Sequence, residues 1–152
     1  MMKPAQHLQR EFTDVYLSTL KYIEELISQP TSVYGLSFEQ WLIMDTVANA
    51  AEPVTLTQLA TQRNVTKGAI ARQMKPLLDQ NYLEQQTDPS DRRRSFLQLS
   101  ATGEQTQQEI ARAVEARFSN WIEVFGADDA QQLLGLLRRF DDVILRQSLR
   151  KN

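Results

Sequence analysis

The chain has 152 residues, enough for one domain with its own core, and its 41% hydrophobic and 24% charged residues are ordinary for a globular protein. It has no cysteine, which excludes disulfides, thiol redox sensing and cysteine-bound zinc, and one histidine, His7, which leaves histidine-based metal clusters and nucleophilic catalysis almost nothing to work with. The net charge of −2 hides an uneven distribution: residues 63–94 hold seven basic and four acidic side chains, so this segment is +3 and the remainder −5.

No apolar run approaches the ~18 residues of a membrane span, and the first residues turn polar without a signal-like stretch. A cytoplasmic location and no membrane partner are expected. The acidic pairs Glu24-Glu25, Asp128-Asp129 and Asp141-Asp142 read as solvated helix surface and caps, with no base or metal signature beside them. Neither an enzyme nor a cofactor or metal site is expected.

Residues 4–29 have apolar side chains at three- and four-residue spacing (Leu8, Phe12, Val15, Ile23, Leu26), which predicts a helix that Pro30 stops. Ser37 to Gln40 forms a capping box and opens a second helix to about Ala50, burying Trp41, Leu42, Met44 and Val47 in some combination. Pro53-Val54 reads as an extended link. Thr55 to Gln58 is another capping box, opening a short helix to Gln62 with Leu56, Leu59 and Ala60 inward. Arg63-Asn64-Val65 turns the chain, and Thr66 caps a helix towards Gln80. Two short helices across a tight turn make a helix-turn-helix signal.

Asn81 suits a left-handed helix stop. Tyr82 to Gln86 and Phe96 to Leu99 read as two strands around the turn Asp88-Pro-Ser-Asp91 and the run Arg92-Arg93-Arg94, a hairpin wing. Ser100 caps a long helix to Phe125, with Ile110, Val114, Phe118, Trp121, Ile122 and Phe125 as its stripe. Gly126 stops it, and Asp128 to Gln131 reads as a third capping box. The last helix is apolar over a broader face than one core needs, which suits interdigitating terminal helices of two subunits; the alternative is a monomer in which these helices complete one core.

With Ile70 inward on the 66–80 helix, Met74, Leu77 and, more laterally, Leu78 share its side at 100° per residue, while Gly68, Arg72, Lys75 and Asp79 point nearly opposite. The first turn, Thr66, Lys67, Gly68 and Ala69, is small and polar and permits close approach to base edges. Arg72 can bind guanine bidentately and Gln73 can pair with adenine; Lys67 and Lys75 suit phosphates. On the wing, Arg93 suits a narrow A·T-rich minor groove, Asp91 would hold its side chain extended, and Arg92 and Arg94 would take phosphates. Pro76 is expected to kink this helix or end its regular part early.

Together these elements resemble the MarR family of bacterial and archaeal transcription regulators. The family's Asp-x-Arg element falls on Asp91 and Arg93, and its Leu-Thr-x-x-Gly element on Leu99 to Gly103. Ser100 stands where Thr is usual, Asn81 where Gly is common, and Pro76 is unusual at its position. The resemblance implies a mainly α fold with a small β-hairpin wing, an α+β winged helix-turn-helix. Residues 1–152 would form a single domain, with dimerisation helices at 4–35 and 100–150 and a DNA-binding lobe at 37–99.

It further implies a homodimer, triangular in outline, that represses by occluding a promoter. Its recognition helices would lie ~34 Å apart on a pseudo-palindromic duplex. Release by a small aromatic or anionic effector is also implied, from a pocket where the first helix, the Trp41 helix and the long helix meet. Phe12, Tyr16, Trp41 and Met44 would line it. The absence of cysteine excludes the thiol-based peroxide-sensing branch. The competing reading is a winged-helix module that binds protein rather than DNA.

Overall fold

The helix starts at Ser37, Thr55, Thr66 and Ser100 each trace to a side-chain hydroxyl that accepts a backbone N–H of the first turn. In the computed structural model, which describes residues 4–149, α1 (Pro4–Val15), a π-helical turn (Tyr16–Leu20) and α2 (Lys21–Ser32) follow one another without a break. Residues 1–3 and 150–152, which the domain reading of 1–152 takes in, lie outside the described residues. Pro30 is inside α2 rather than at its stop. A proline there forgoes its own N–H bond and crowds the carbonyl four residues back, yet the helix runs two residues past it to Ser32. The stop is Gly35, in the left-handed region at φ +68°, where its N–H donates to the Ser32 carbonyl at 3.0 Å and the Leu36 N–H to Thr31 at 3.3 Å.

Helix α3 (Phe38–Asn49) opens on the Ser37 capping box, with the Gln40 N–H on Ser37 Oγ at 3.1 Å and the Ser37 N–H on Gln40 Oε1 at 2.9 Å. It buries Trp41, Ile43 and Met44, and leaves Leu42 and Val47 half-buried. Because α3 packs against α2, α5 and the sheet, it has apolar residues on several faces, and spacing alone did not single out Ile43.

The Pro53-Val54 link is more than a link. Val54–Thr55 is a strand, β1, and Thr55 also caps α4 (Leu56–Gln62) through a second capping box. Helix α4 buries Leu59 and Ala60 and ends at Asn64, φ +53°. The Thr66 hydroxyl accepts the Ala69 N–H at 3.1 Å and starts α5 (Lys67–Asp79). Ile70, Met74 and Leu77 form its buried face. Pro76 does not end α5 early: the helix continues past it to Asp79, two residues before the stop at Asn81, φ +64°.

Strands β2 (Leu83–Thr87) and β3 (Ser95–Leu99) pair antiparallel from Leu83↔Leu99 to Thr87↔Ser95. The other edge of β3 pairs with β1, giving a three-stranded sheet of order β1-β3-β2 rather than a two-stranded hairpin. Ser100 then caps α6 (Ala101–Phe125), its Oγ accepting the Gly103 N–H at 2.9 Å and donating to the Asn81 carbonyl at 2.5 Å. The start of α6 is tied to the lobe by buried Thr106, Gln107 and Ile110. Gln107 Nε2 donates to Asp45 Oδ1 at 2.9 Å, and the Tyr34 hydroxyl donates to Glu109 Oε2 at 2.9 Å.

The chain divides into two units, Met1–Arg112 and Ala113–Asn152. The first contains the core, in which Ile43, Met44, Leu59, Leu77, Leu83 and Ile110 are the largest fully buried apolar side chains. The second consists of the rest of α6, α7 (Ala127–Phe140), a π-helical turn (Asp141–Leu145) and α8 (Arg146–Leu149). Gly126, φ +97°, ends α6 and is itself the N-cap of α7. Asp128 is therefore not the cap: it lies with Asp129 in the first turn, where both carboxylates favour the positive end of the helix dipole. Neither α1 nor α7 buries a residue, and each exposes large apolar side chains: Leu8, Phe12, Val15 on one, Leu133, Leu136, Leu137 on the other.

Candidate nucleic-acid interface

Helix α5 turns its apolar face inward and a polar, basic face outward. Thr66, Lys67, Gly68, Arg72, Gln73 and Lys75 are exposed and Ala69 is half-buried. The Thr66 cap fixes the first turn, where the exposed Lys67 lies beside the positive end of the helix dipole. Gly68 has room around it: a Cβ there would meet only Thr66 Oγ1, at 4.0 Å. The lobe itself does not require a glycine at this position, which leaves space for a close partner. Lys75 Nζ pairs with Asp79 Oδ2 at 2.6 Å along the helix, both exposed. Arg63 pairs with Glu39 at 2.5 Å and holds the inter-helix turn against α3.

The wing is ordered by its acidic residues. Asp88 is buried, its Oδ1 accepting the Ser90 N–H at 2.8 Å and the Ser90 hydroxyl at 2.6 Å. These two bonds, the hydroxyl first, hold the carboxyl below its ordinary value, helped by the nearby Arg94 charge and opposed by desolvation. The Asp88 N–H donates to the Arg94 carbonyl and the Arg94 N–H to the Asp91 carbonyl, both at 2.9 Å. Asp91 Oδ1 accepts from the Arg93 main-chain N–H at 3.0 Å, not from its guanidinium, so Asp91 shapes the turn rather than bracing the side chain.

The three arginines differ. Arg94 has its guanidinium carbon 5.8 Å from the centre of the Phe96 ring, a cation–π arrangement at the base of the wing. Arg92 and Arg93 are exposed. Lys67, Arg93 and Arg94 line one open cleft of about 560 Å³ together with Thr55, Thr57 and Gln58. The start of α5, the start of α4 and the wing therefore converge on one cationic recess.

The expected effector residues are placed differently. Phe12 and Tyr16 stack with ring centres 6.4 Å apart and are more than half exposed. Trp41 and Met44 are in the core, Trp41 against Phe38 at 5.2 Å. None of the four lines the cleft beside the wing. Trp41 Nε1 is buried with no hydrogen-bond partner among the described residues. Reading by sequence missed Asp88, Ser90 and Phe96 as parts of the surface. The Asp-Pro-Ser stretch carried the signal for the first two, since aspartate commonly bonds the main chain two residues on.

A capped helix pair, a three-stranded wing and a basic edge shared between them define a winged helix-turn-helix DNA-binding protein. Residues 34–94 match the sequence model of the MarR family. An HTH-type transcriptional regulator of Staphylococcus aureus strain Mu50, described as uncharacterized, is 22% identical over 151 residues, covering 95% of this chain and 97% of the relative. Among solved structures, AbsC, a MarR family transcriptional regulator from Streptomyces coelicolor, superposes with a TM-score of 0.74 at 18% identity, covering 100% of this chain and 99% of that one. Staphylococcus aureus MarR in complex with salicylate and kanamycin gives 0.72 at 18% identity, with 92% and 94% covered. In fold the chain is a winged helix-turn-helix, and over residues 34–94 its sequence is similar to the MarR family of transcription regulators. Among the described residues no helix is long and apolar enough to cross a membrane.

Proposed function

We propose that this chain is a cytoplasmic, homodimeric repressor that binds a pseudo-palindromic operator. The observation that carries the reading is the cleft in which Lys67 of α5 meets Arg93 and Arg94 of the wing. Lys67 and Arg94 take phosphates there and Arg93 enters the minor groove; Thr66 and the α5 residues Gly68, half-buried Ala69, Arg72 and Gln73 face base edges, with Lys75 and Arg92 on the flanking backbone. Asp91 keeps the wing turn in shape. Residues 37–99 act as the DNA lobe, and helices 4–35 and 100–150 as the dimerisation region. The exposed apolar side chains of α1 and α7 support this division, since a helix face of that kind is normally covered.

Salicylate in the Staphylococcus aureus MarR structure supports a small aromatic anion as effector. In this chain the exposed Phe12–Tyr16 stack offers ring surface, and Trp41, beside Met44 on α3, offers an unpaired indole N–H. An effector acts only through a difference in its affinity for the DNA-bound and free states.

Fluorescence anisotropy with a duplex from the region upstream of the chain's own gene tests the reading. Specific binding should weaken steeply between 50 and 200 mM salt, by about 10³-fold or more for six phosphate contacts. No binding to any duplex at low salt would remove the repressor reading and favour a protein-binding module.

A further inference from the structure

A carboxylate on a DNA-facing surface should weaken binding, because it repels phosphate and draws on the charge of its basic neighbours. The wing nevertheless holds two aspartates among its arginines, and one of them, Asp88, is 7% exposed. Burying an ionised carboxyl is unfavourable unless donors surround it. Here they do: the Ser90 N–H and hydroxyl bond Oδ1 at 2.8 and 2.6 Å. The Asp91 N–H adds a further contact.

Those donors belong to the turn that carries the arginines. The Asp88 main chain closes the other side of the same turn by donating to the Arg94 carbonyl at 2.9 Å. The Arg94 N–H in turn reaches the Asp91 carbonyl at 2.9 Å. One residue thus bonds both the descending and the ascending arm of the loop. Pro89, next in sequence, restricts φ and limits the alternatives open to the turn.

We infer that Asp88 is a positioning residue of the DNA-binding surface: by gathering the Ser90 donors onto one buried carboxylate, it sets the direction in which Arg93 and Arg94 leave the wing. It touches no DNA itself. The inference rests on the proposed role of the wing in binding DNA, and it makes a prediction opposite in sign to simple charge counting. Removing a negative charge beside three arginines should tighten binding to a polyanion; removing the organiser of the turn should loosen it.

The experiment measures anisotropy of the full chain with the upstream duplex and with a random A·T-rich duplex of equal length, across a salt series. Circular dichroism melts and sedimentation check fold and assembly. Asp88→Ala should bind about tenfold more weakly, and its log–log salt slope should be shallower by about one to two, as one or two phosphate contacts are lost. Asp88→Asn keeps an acceptor oxygen for Ser90 and should bind within about threefold of wild type. Ser90→Ala removes one bond without changing charge and should fall between the two, so it decides the matter with Asp88→Asn if Asp88→Ala does not fold. Asp88→Ala binding as well as or better than wild type, or Asp88→Asn as weak as Asp88→Ala, would overturn the inference while leaving the DNA-binding reading in place. Failure of the wild-type protein to bind either duplex would overturn that reading first, and the inference with it.

Discussion

Gly103, in the first turn of α6, lies against the main chain of Tyr82 so closely that a Cβ would overlap the Tyr82 carbonyl oxygen and stand 2.9 Å from its carbon. The long helix and the entry to the wing can meet only without a side chain at that point. In an exposed helix, alanine in place of glycine is worth about 1 kcal/mol of added stability. Here the clash is with backbone, and overpacking of this kind costs about 1–3 kcal/mol. Gly103→Ala should therefore lower stability on balance, and urea denaturation reads the sign directly. A stabilised variant would show that the contact has slack.

Asn81 ends α5 in the left-handed region at φ +64°. Asn81→Gly should be close to neutral, because both residues adopt that conformation. Asn81→Val should cost about 1–2 kcal/mol through its Cβ. Equal stability of the glycine and valine variants would argue that the stop is set by the Ser100 hydroxyl on the Asn81 carbonyl rather than by φ.

Arg72→Ala and Arg93→Ala separate base reading from groove reading. Loss of Arg72 should relax specificity at one base position, at about 1–3 kcal/mol. Loss of Arg93 should weaken binding chiefly where the flanks are A·T-rich. Binding profiles over a randomised duplex library measure both. A uniform loss for Arg72→Ala would reassign it to phosphate, and an unchanged profile for Arg93→Ala would count against a minor-groove wing.

The Tyr34–Glu109 bond makes stability depend on pH from two sides. Glu109 is held below the ordinary glutamate value by the Gln105 amide first and the Tyr34 hydroxyl second. A depressed carboxyl contributes stability that is present above its unfolded pKa, near 4.5, and is lost as pH falls through the folded value. Tyr34 is raised, chiefly by its bond to Glu109, so its contribution is present below about 10 and lost as pH rises through the folded value. Urea midpoints of wild type and Glu109→Gln should differ most between these limits and converge below pH 4. A gap that persists at pH 3 would mean the bond is not the source of the difference.

The helix starts at Ser37, Thr55 and Thr66 were legible in the sequence because a cap is a local event, readable from three or four residues. The buried face of α5 was legible for a similar reason, since it packs on one side only. Where the competition was between two local signals, the choice went wrong at Pro30, which α2 absorbs while Gly35 ends it, and at Asp128, displaced by Gly126 two residues earlier. The strand at Val54–Thr55 was out of reach. Two residues carry no period, and the strand exists only because β3, more than forty residues later, pairs with it. On the candidate surface, the residue types of α5 and the wing were readable one by one; their meeting in one cleft was not, because it depends on that same pairing.

Thr55 belongs to two structures at once: it pairs with Phe96 in the sheet, and its hydroxyl caps α4. The helix pair and the wing are thereby anchored to a common residue, like two prongs set in one handle. For a duplex held by both prongs, the distance between the major-groove and minor-groove contacts of a half-site is fixed by the protein. An insertion or deletion of one base pair between them should be tolerated far less than a base change at either. Variation in spacing among operators would then be confined to the gap between half-sites, where the geometry belongs to the assembly and not to the lobe.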